Sequence, residues 1–160
     1  HLWYRRQRQM CIRDRNTIRT IEGGLLSYGS DFGREHNPYT IGFGRLVDVD
    51  QETDFIGKQA LKKIKKDGVK EKLIGLEIEG DPLPKAPENF WPVNCDGKKI
   101  GRLSRAYFSP RVKKNIGLAI LDIEFCEEGT VVLLESPYGD IASKVVSLPW
   151  FNADKNTYLD

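Results

Sequence analysis

From Lys72 onward, turn residues cut the chain into short apolar stretches, and this rhythm most restricts the fold. KLIGLEIEG sets Ile74, Leu76 and Ile78 against Gly75, Glu77 and Glu79, the period of two that marks a strand with one buried face. PVNCDGKKIGRL reads as a hairpin turning at Asp96-Gly97, a pair suited to tight two-residue turns. NIGLAILDI is a short continuous apolar run, expected as a buried strand. TVVLLE and IASKVVSL form a further pair around SPYGD, and a Pro-rich loop, DPLPKAPENFWP, separates the first strand from the rest. Five or six short strands at this spacing imply a small barrel or a sandwich.

The part before Gly68 has a different period. Ile18, Ile21 and Leu25 fall on one helical face, so a helix is expected from Asn16 to the neighbourhood of Gly23-Gly24, running into an irregular segment. Asn37-Pro38 signals a turn, and residues 46–49 suit a short strand. Asp54 stands as an expected N-cap before FIGKQALKKIKKDG, where Ile56, Ala60 and Ile64 share a face and Gly68 ends the run. Its lysines, Lys58, Lys62, Lys63, Lys65 and Lys66, are expected to form a solvated face whose charge suits the helix C-terminus. The fold class is therefore α+β: helix and irregular segments, then a small β-barrel in the C-terminal half.

Charge matters because it is uneven. Residues 1–15 hold five Arg, no Lys and one Asp, leaving 20 basic against 22 acidic residues in the other 145. An Arg-rich arm can contact nucleic acid or a membrane, and an N-terminal segment can be a signal peptide, but no apolar region follows it. RQMCIRDR is also similar to translated adaptor sequence, and the chain does not start with Met, so residues 1–15 are set aside as a non-native extension. The acidic body and scarce aromatic-basic interleaving argue against a nucleic-acid partner. No apolar run reaches membrane-spanning length. Three cysteines, Cys11, Cys95 and Cys126, form no CxxC pair, which favours free thiols and a cytoplasmic location. With only His1 and His36, neither a histidine metal site nor a histidine-based nucleophilic dyad is expected.

Generic catalytic motifs are absent: there is no phosphate-binding loop, no GxGxxG after a strand, no GxSxG and no HExxH. One acid is out of place. In IEGGLLSYGSDF, Glu22 sits among apolar residues just before two glycines. Either it lies on a wet face beside a turn, or it is turned inward to grip a ligand.

Longer strings carry a resemblance. Arg19-Thr20-Ile21-Glu22-Gly23-Gly24-Leu25, followed by Leu26-Ser27-Tyr28-Gly29-Ser30-Asp31, resembles the "LRLEAG…LYGxD" stretch of the aminomethyltransferase family, which includes the glycine-cleavage T-protein. Asn37-Pro38 stands where that family has Thr-Pro or Asn-Pro. Asp54-Phe55-Ile56-Gly57-Lys58-Gln59-Ala60-Leu61 is similar to "DFIGxxAL". Phe108-Ser109-Pro110 with Lys114-Asn115-Ile116-Gly117-Leu118-Ala119 is similar to "FSPxxxKxIALAYV", and Val145-Val146-Ser147-Leu148-Pro149-Trp150-Phe151 to "VVxLPF". These landmarks keep the family order from Asn16 to Phe151.

The resemblance implies a tetrahydrofolate-dependent enzyme of which this is the C-terminal portion. Residues 16–68 would be the end of the folate-binding domain and 69–152 the C-terminal barrel, with the catalytic Asp upstream. Within the family, Leu103-Ser104-Arg105-Ala106-Tyr107 replaces the "VTSG" of T-proteins, and residues 49–53 lack the Arg that T-proteins tend to carry there. Those strings look more like dimethylsulfoniopropionate demethylase, which moves a methyl group from a sulfonium to tetrahydrofolate; the alternatives are T-protein aminomethyl transfer from a lipoyl carrier protein and a non-enzymatic folate-binding relative. The substrate is a small molecule in the demethylase case. The family uses the Glu of its motif on the pterin, whose adjacent ring N–H and amino group match an ionised carboxylate, and this carries over to Glu22. Tyr28 would line the same pocket or be a buried structural ring. Arg105 would contact a carboxylate of substrate or folate tail, or form a surface salt bridge.

Deleting residues 1–15 is expected to leave the thermal midpoint unchanged within error; a loss of several degrees would show that the arm packs on the domain.

Overall fold

The strand rhythm becomes a closed six-stranded barrel. β1 (Glu71–Ile78), β2 (Trp91–Cys95), β3 (Lys98–Ser109), β4 (Lys114–Asp122), β5 (Val131–Ser136) and β6 (Gly139–Val146) are ordered β1-β4-β3-β2-β5-β6, and β6 returns to β1. Every pairing is antiparallel. Closure of this kind leaves no unpaired sheet edge. The structure, a computed structural model, describes residues 16–83 and 85–150. The Arg-rich segment 1–15, with His1 and Cys11, lies outside the described residues, as does Phe151.

The interior is filled by one cluster that includes Ile74, Leu76, Ile78, Val93, Leu103, Ala119, Leu121, Leu134 and Val145. Ile74, Leu76 and Ile78 keep the inward spacing of two that the sequence sets. The β2–β3 hairpin turns at Asp96-Gly97 with positive φ at both residues, 49° and 76°, as a right-twisted two-residue turn demands. Two extra residues in β3 change its parity. Ile100 is additional where β3 pairs with β2, and Ser104 where it pairs with β4. After the second bulge Arg105, Tyr107 and Ser109 lie opposite Leu118, Ile116 and Lys114, on the outer face. A bulge that re-aims side chains in this way bends the strand locally.

The outer face of β4 is also dry. Ile116 and Leu118 pack with Ile21 and Trp150 in a second cluster, joined by Leu26, Tyr107, Val112, Val146 and Leu148. That is why NIGLAILD reads as a continuous apolar run: both of its faces are covered. Across the β1–β2 connection, Leu83 drops into the barrel interior. Asn115 secures it, accepting from the Leu83 N–H at 2.9 Å and donating to the Asp81 and Gly80 carbonyls at 2.9 and 3.4 Å.

Helix α1 is helical over 16–22 and ends in a Schellman arrangement. The Gly24 N–H donates to the Ile21 carbonyl and the Leu25 N–H to the Thr20 carbonyl, at 3.0 and 2.8 Å, with Gly24 at φ 62°. Leu25 is thereby thrown outward, and Leu26 takes the place on the apolar face that Leu25 was expected to hold.

Three local expectations fail. Residues 46–49 are not a strand: a 3-10 turn covers Gly44–Leu46, and the Asp48 carboxylate then accepts from the Asp50 and Gln51 N–H groups. An acid that bonds its own backbone in this way competes with a strand ladder, and only Val49 is driven inside. Asp54 is not the N-cap: α2 spans Lys58–Asp67 and starts from Gly57, left-handed at φ 91°. The predicted apolar face of α2 is shifted as well: Ala60 is exposed, while Leu61 and Ile64 are partly buried. Ile56 is 103% exposed, whereas Lys58 is buried and its Nζ donates to the Gln51 and Thr53 carbonyls at 2.6 and 3.1 Å. Those carbonyls need a donor, and a lysine reaches them where isoleucine cannot.

On β5 the neighbours Leu134 and Leu133 face opposite ways, one buried and the other 44% exposed. Leu134→Ala is expected to cost about 2–5 kcal/mol, and Leu133→Ala about 1 kcal/mol or less. Urea denaturation of the two variants checks the contrast.

Candidate functional site

Two buried acids meet the outer face of β3, and they differ in how well they are satisfied. Asp31 is 0% exposed. Its Oδ1 accepts from Ser104 Oγ and Arg105 Nε, both at 2.8 Å. Its Oδ2 accepts from the Ser27 N–H at 2.7 Å and from Arg105 Nη2 at 2.6 Å. Four donors on two oxygens, two of them from one guanidinium fork, satisfy a buried carboxylate without a ligand.

Glu22, 1% exposed, has much less. Its Oε1 accepts from Ser109 Oγ at 2.5 Å, while Ser109 Oγ itself accepts from the Val112 N–H at 3.1 Å. The single hydroxyl proton of Ser109 is thus directed to Glu22. Among the described residues Oε2 has no hydrogen-bond partner; the cation paired with it is Arg111, Nη1 at 3.6 Å, on a half-exposed side chain. Glu22 also occupies the last helical position of α1, at the negative end of the helix dipole. A buried acid held in so unfavourable a place is costly unless further donors arrive. Its backbone carbonyl is tied down too, accepting from the Trp150 N–H at 3.2 Å.

Of the residues singled out in the sequence, Glu22 is therefore turned inward, not onto a wet face. Gly24 has a conformational task, ending the helix. Arg105 directs its fork at Asp31, a carboxylate of the chain itself, and adds Nη1 to Thr20 Oγ1 at 3.1 Å and Nη2 to the Leu25 carbonyl at 2.8 Å. It is a semi-buried internal clasp where a surface salt bridge or ligand contact was expected. Tyr28 is not a buried ring: it is 63% exposed and meets Phe32 edge-on at 5.6 Å. Sequence reasoning missed Asp31 and Ser109 as partners in these pairs. Both lie inside the strings that carry the resemblance, but nothing local tells which distant side chain they face.

Other chemistry is thin. The His36 side chain is 4% exposed, and its Nδ1 accepts from the Gly33 N–H at 3.0 Å, a loop-holding role. Cys95 and Cys126 are free thiols, and burial pushes the Cys126 thiol up, away from the reactive thiolate. Among the described residues no group of three or more His, Cys, Asp or Glu is placed to hold a metal ion, and no helix is long and apolar enough to cross a membrane.

Comparison with known proteins agrees with the barrel. The glycine cleavage T-protein C-terminal barrel domain matches residues 71–152. An aminomethyltransferase of Caldanaerobacter subterraneus subsp. tengcongensis is 41% identical over 118 residues, covering 74% of this chain and 30% of its own length. One from Bacillus subtilis is 36% identical over 137 residues, covering 86% and 37%. The chain thus spans about a third of the curated relatives it matches. Glycine cleavage system aminomethyltransferase T from Bartonella henselae shares the fold, with TM-score 0.75 at 20% identity over 88% of this chain and 38% of that one. These relatives carry the name aminomethyltransferase, which backs the T-protein alternative over the demethylase reading of the motifs.

Ser109→Ala removes the hydrogen bond that Ser109 donates to Glu22 Oε1 and is expected to destabilise the chain by about 1–3 kcal/mol. Urea denaturation of the variant beside the parent chain measures it.

Proposed function

Because this chain belongs to the family of the glycine cleavage T-protein C-terminal barrel domain, we propose that it is the C-terminal part of a tetrahydrofolate-dependent aminomethyltransferase in which Glu22 holds the pterin. The observation that carries the proposal is Glu22 Oε2, which among the described residues accepts no hydrogen bond, in contrast to Asp31, whose two oxygens accept four.

A pterin offers two adjacent N–H donors along one edge. Oε2 accepts one outright, and Oε1, with Ser109 on one lone pair, has a second to give. The residues fit the group: a carboxylate acceptor, preset by Ser109, in a site that shields it from water. Access requires the half-exposed Arg111 side chain to leave Oε2. Tetrahydrofolate supplies the nucleophilic nitrogen that receives the one-carbon unit. On this reading the carbon of an aminomethyl group held on the sulfur of a lipoyl-bearing carrier protein would pass to that nitrogen, with ammonia and the carrier's free thiol released. This chain's contribution is orientation, which removes much of the entropic barrier to such a transfer. The catalytic acid and the residues that choose the substrate belong, on this reading, to the part of the relatives this chain does not span.

The departure of LSRAY from the T-protein "VTSG" string has a local cause that supports this reading. Arg105 holds the chain together through Asp31, Thr20 and Leu25, so its presence calls for no change of substrate.

Glu22→Gln in the full-length protein puts an amide NH2 against one of the ligand's donors. Losing most of two charge-assisted bonds at roughly 1.5–3 kcal/mol each is expected to weaken tetrahydrofolate binding by roughly two orders of magnitude, with the fold intact. A binding titration alongside a thermal melt reads both. Unchanged affinity would remove the ligand role; unfolding would make Glu22 a structural partner only.

A further inference from the structure

Glu22 is two residues past Thr20 and three before Leu25, and one side chain spans that interval. We infer that Arg105 is a positioning residue for Glu22, bridging the two ends of the helix terminus from β3 so that the grip on folate depends on the barrel. This rests on the pterin role of Glu22 proposed above.

The terminus that carries Glu22 is intrinsically weak. Helix ends fray, and a carboxylate in the last turn opposes the dipole. The Schellman hydrogen bond that closes this end runs from the Leu25 N–H to the Thr20 carbonyl. Arg105 engages the same two residues from the other side, Nη1 on the Thr20 hydroxyl and Nη2 on the Leu25 carbonyl. Thr20 Oγ1 passes the tie back along α1 by donating to the Thr17 carbonyl at 2.8 Å. Nε and Nη2 meanwhile fork onto Asp31, which holds the following turn through the Ser27 N–H. Four N–H bonds of one planar group thus hold both flanks of Glu22.

The strand supplies the frame. The extra residue at Ser104 puts Arg105 outside the barrel, and two pairs further along the same outer face Ser109 meets Glu22. Ser109 sets the direction of the carboxylate, and Arg105 sets the place of the backbone that carries it. Lysine cannot reproduce this, because a single ammonium lacks the fork geometry. None of the Arg105 contacts is to Glu22 itself, so its influence on ligand passes through position alone.

The test is a double-mutant cycle in the full-length protein, with tetrahydrofolate as the titrated probe. Arg105→Met is expected to weaken binding about tenfold, Arg105→Lys by less, and Glu22→Gln about a hundredfold. Combining Arg105→Met with Glu22→Gln should cost no more than Glu22→Gln alone, since a lost grip cannot be mispositioned further. Wild-type affinity in Arg105→Met, or losses that multiply to about a thousandfold, would overturn the inference while leaving the role of Glu22 standing. Normal binding by Glu22→Gln would instead overturn that role, and this inference with it. If Arg105→Met does not fold, Thr20→Val removes one strut of the clasp and is read in the same cycle by the same criteria.

Discussion

A closed barrel has a single interior, and the extra residue at Ser104 decides which side chains of β3 reach it. Without that bulge Arg105 would follow Leu103 into an apolar space that offers it no partner. With it, Ala106 takes the inward place against Gly117, and Arg105, Tyr107 and Ser109 all emerge on the face that meets α1. There is no room to adjust this from the inside. A side chain begun at Gly117 would lie 2.7 Å from Leu103 and 2.9 Å from the Arg105 carbonyl. The register is therefore set by packing, and the polar attachments of the helix follow from the register.

Those attachments divide two buried carboxylates by their surroundings. Asp31 is saturated by donors from its own chain and behaves as a joint. Glu22 receives one strong donor and one distant cation, and keeps an acceptor in reserve. Burial alone does not separate the two, because both acids are equally dry. The count of donors does, since an ionised carboxylate in an apolar surround accepts as many hydrogen bonds as geometry permits.

The strands were legible because each has a clear local signal: alternation in β1, Asp96-Gly97 between β2 and β3, and an apolar run in β4. The closed form was harder to read, since alternation is common to barrel and sandwich, and only the β6–β1 pairing distinguishes them. Errors concentrated before Gly68, where short-range rules were overruled by long-range needs. Lys58 turned inward because two carbonyls needed an ammonium, and Asp48 closed its own turn where a strand was expected. At the site, Glu22 stood out as an acid in an apolar setting. Arg105 stood out too, but as a departure from a family pattern, and its true partner lies 74 positions away in the chain.

Asn115 is a small part of the fold with a large structural freedom attached. One amide group answers three backbone groups between Gly80 and Leu83, and Leu83 closes the interior beneath them. The end of the barrel is thus sealed soon after the end of β1. Beyond Leu83 the chain has only to return to β2 at Trp91, and the entropy of closing a longer loop rises slowly with its length. This connection is where a barrel of this kind can acquire new surface over generations without disturbing its core, much as a handle can be changed on a vessel whose lid is already fastened.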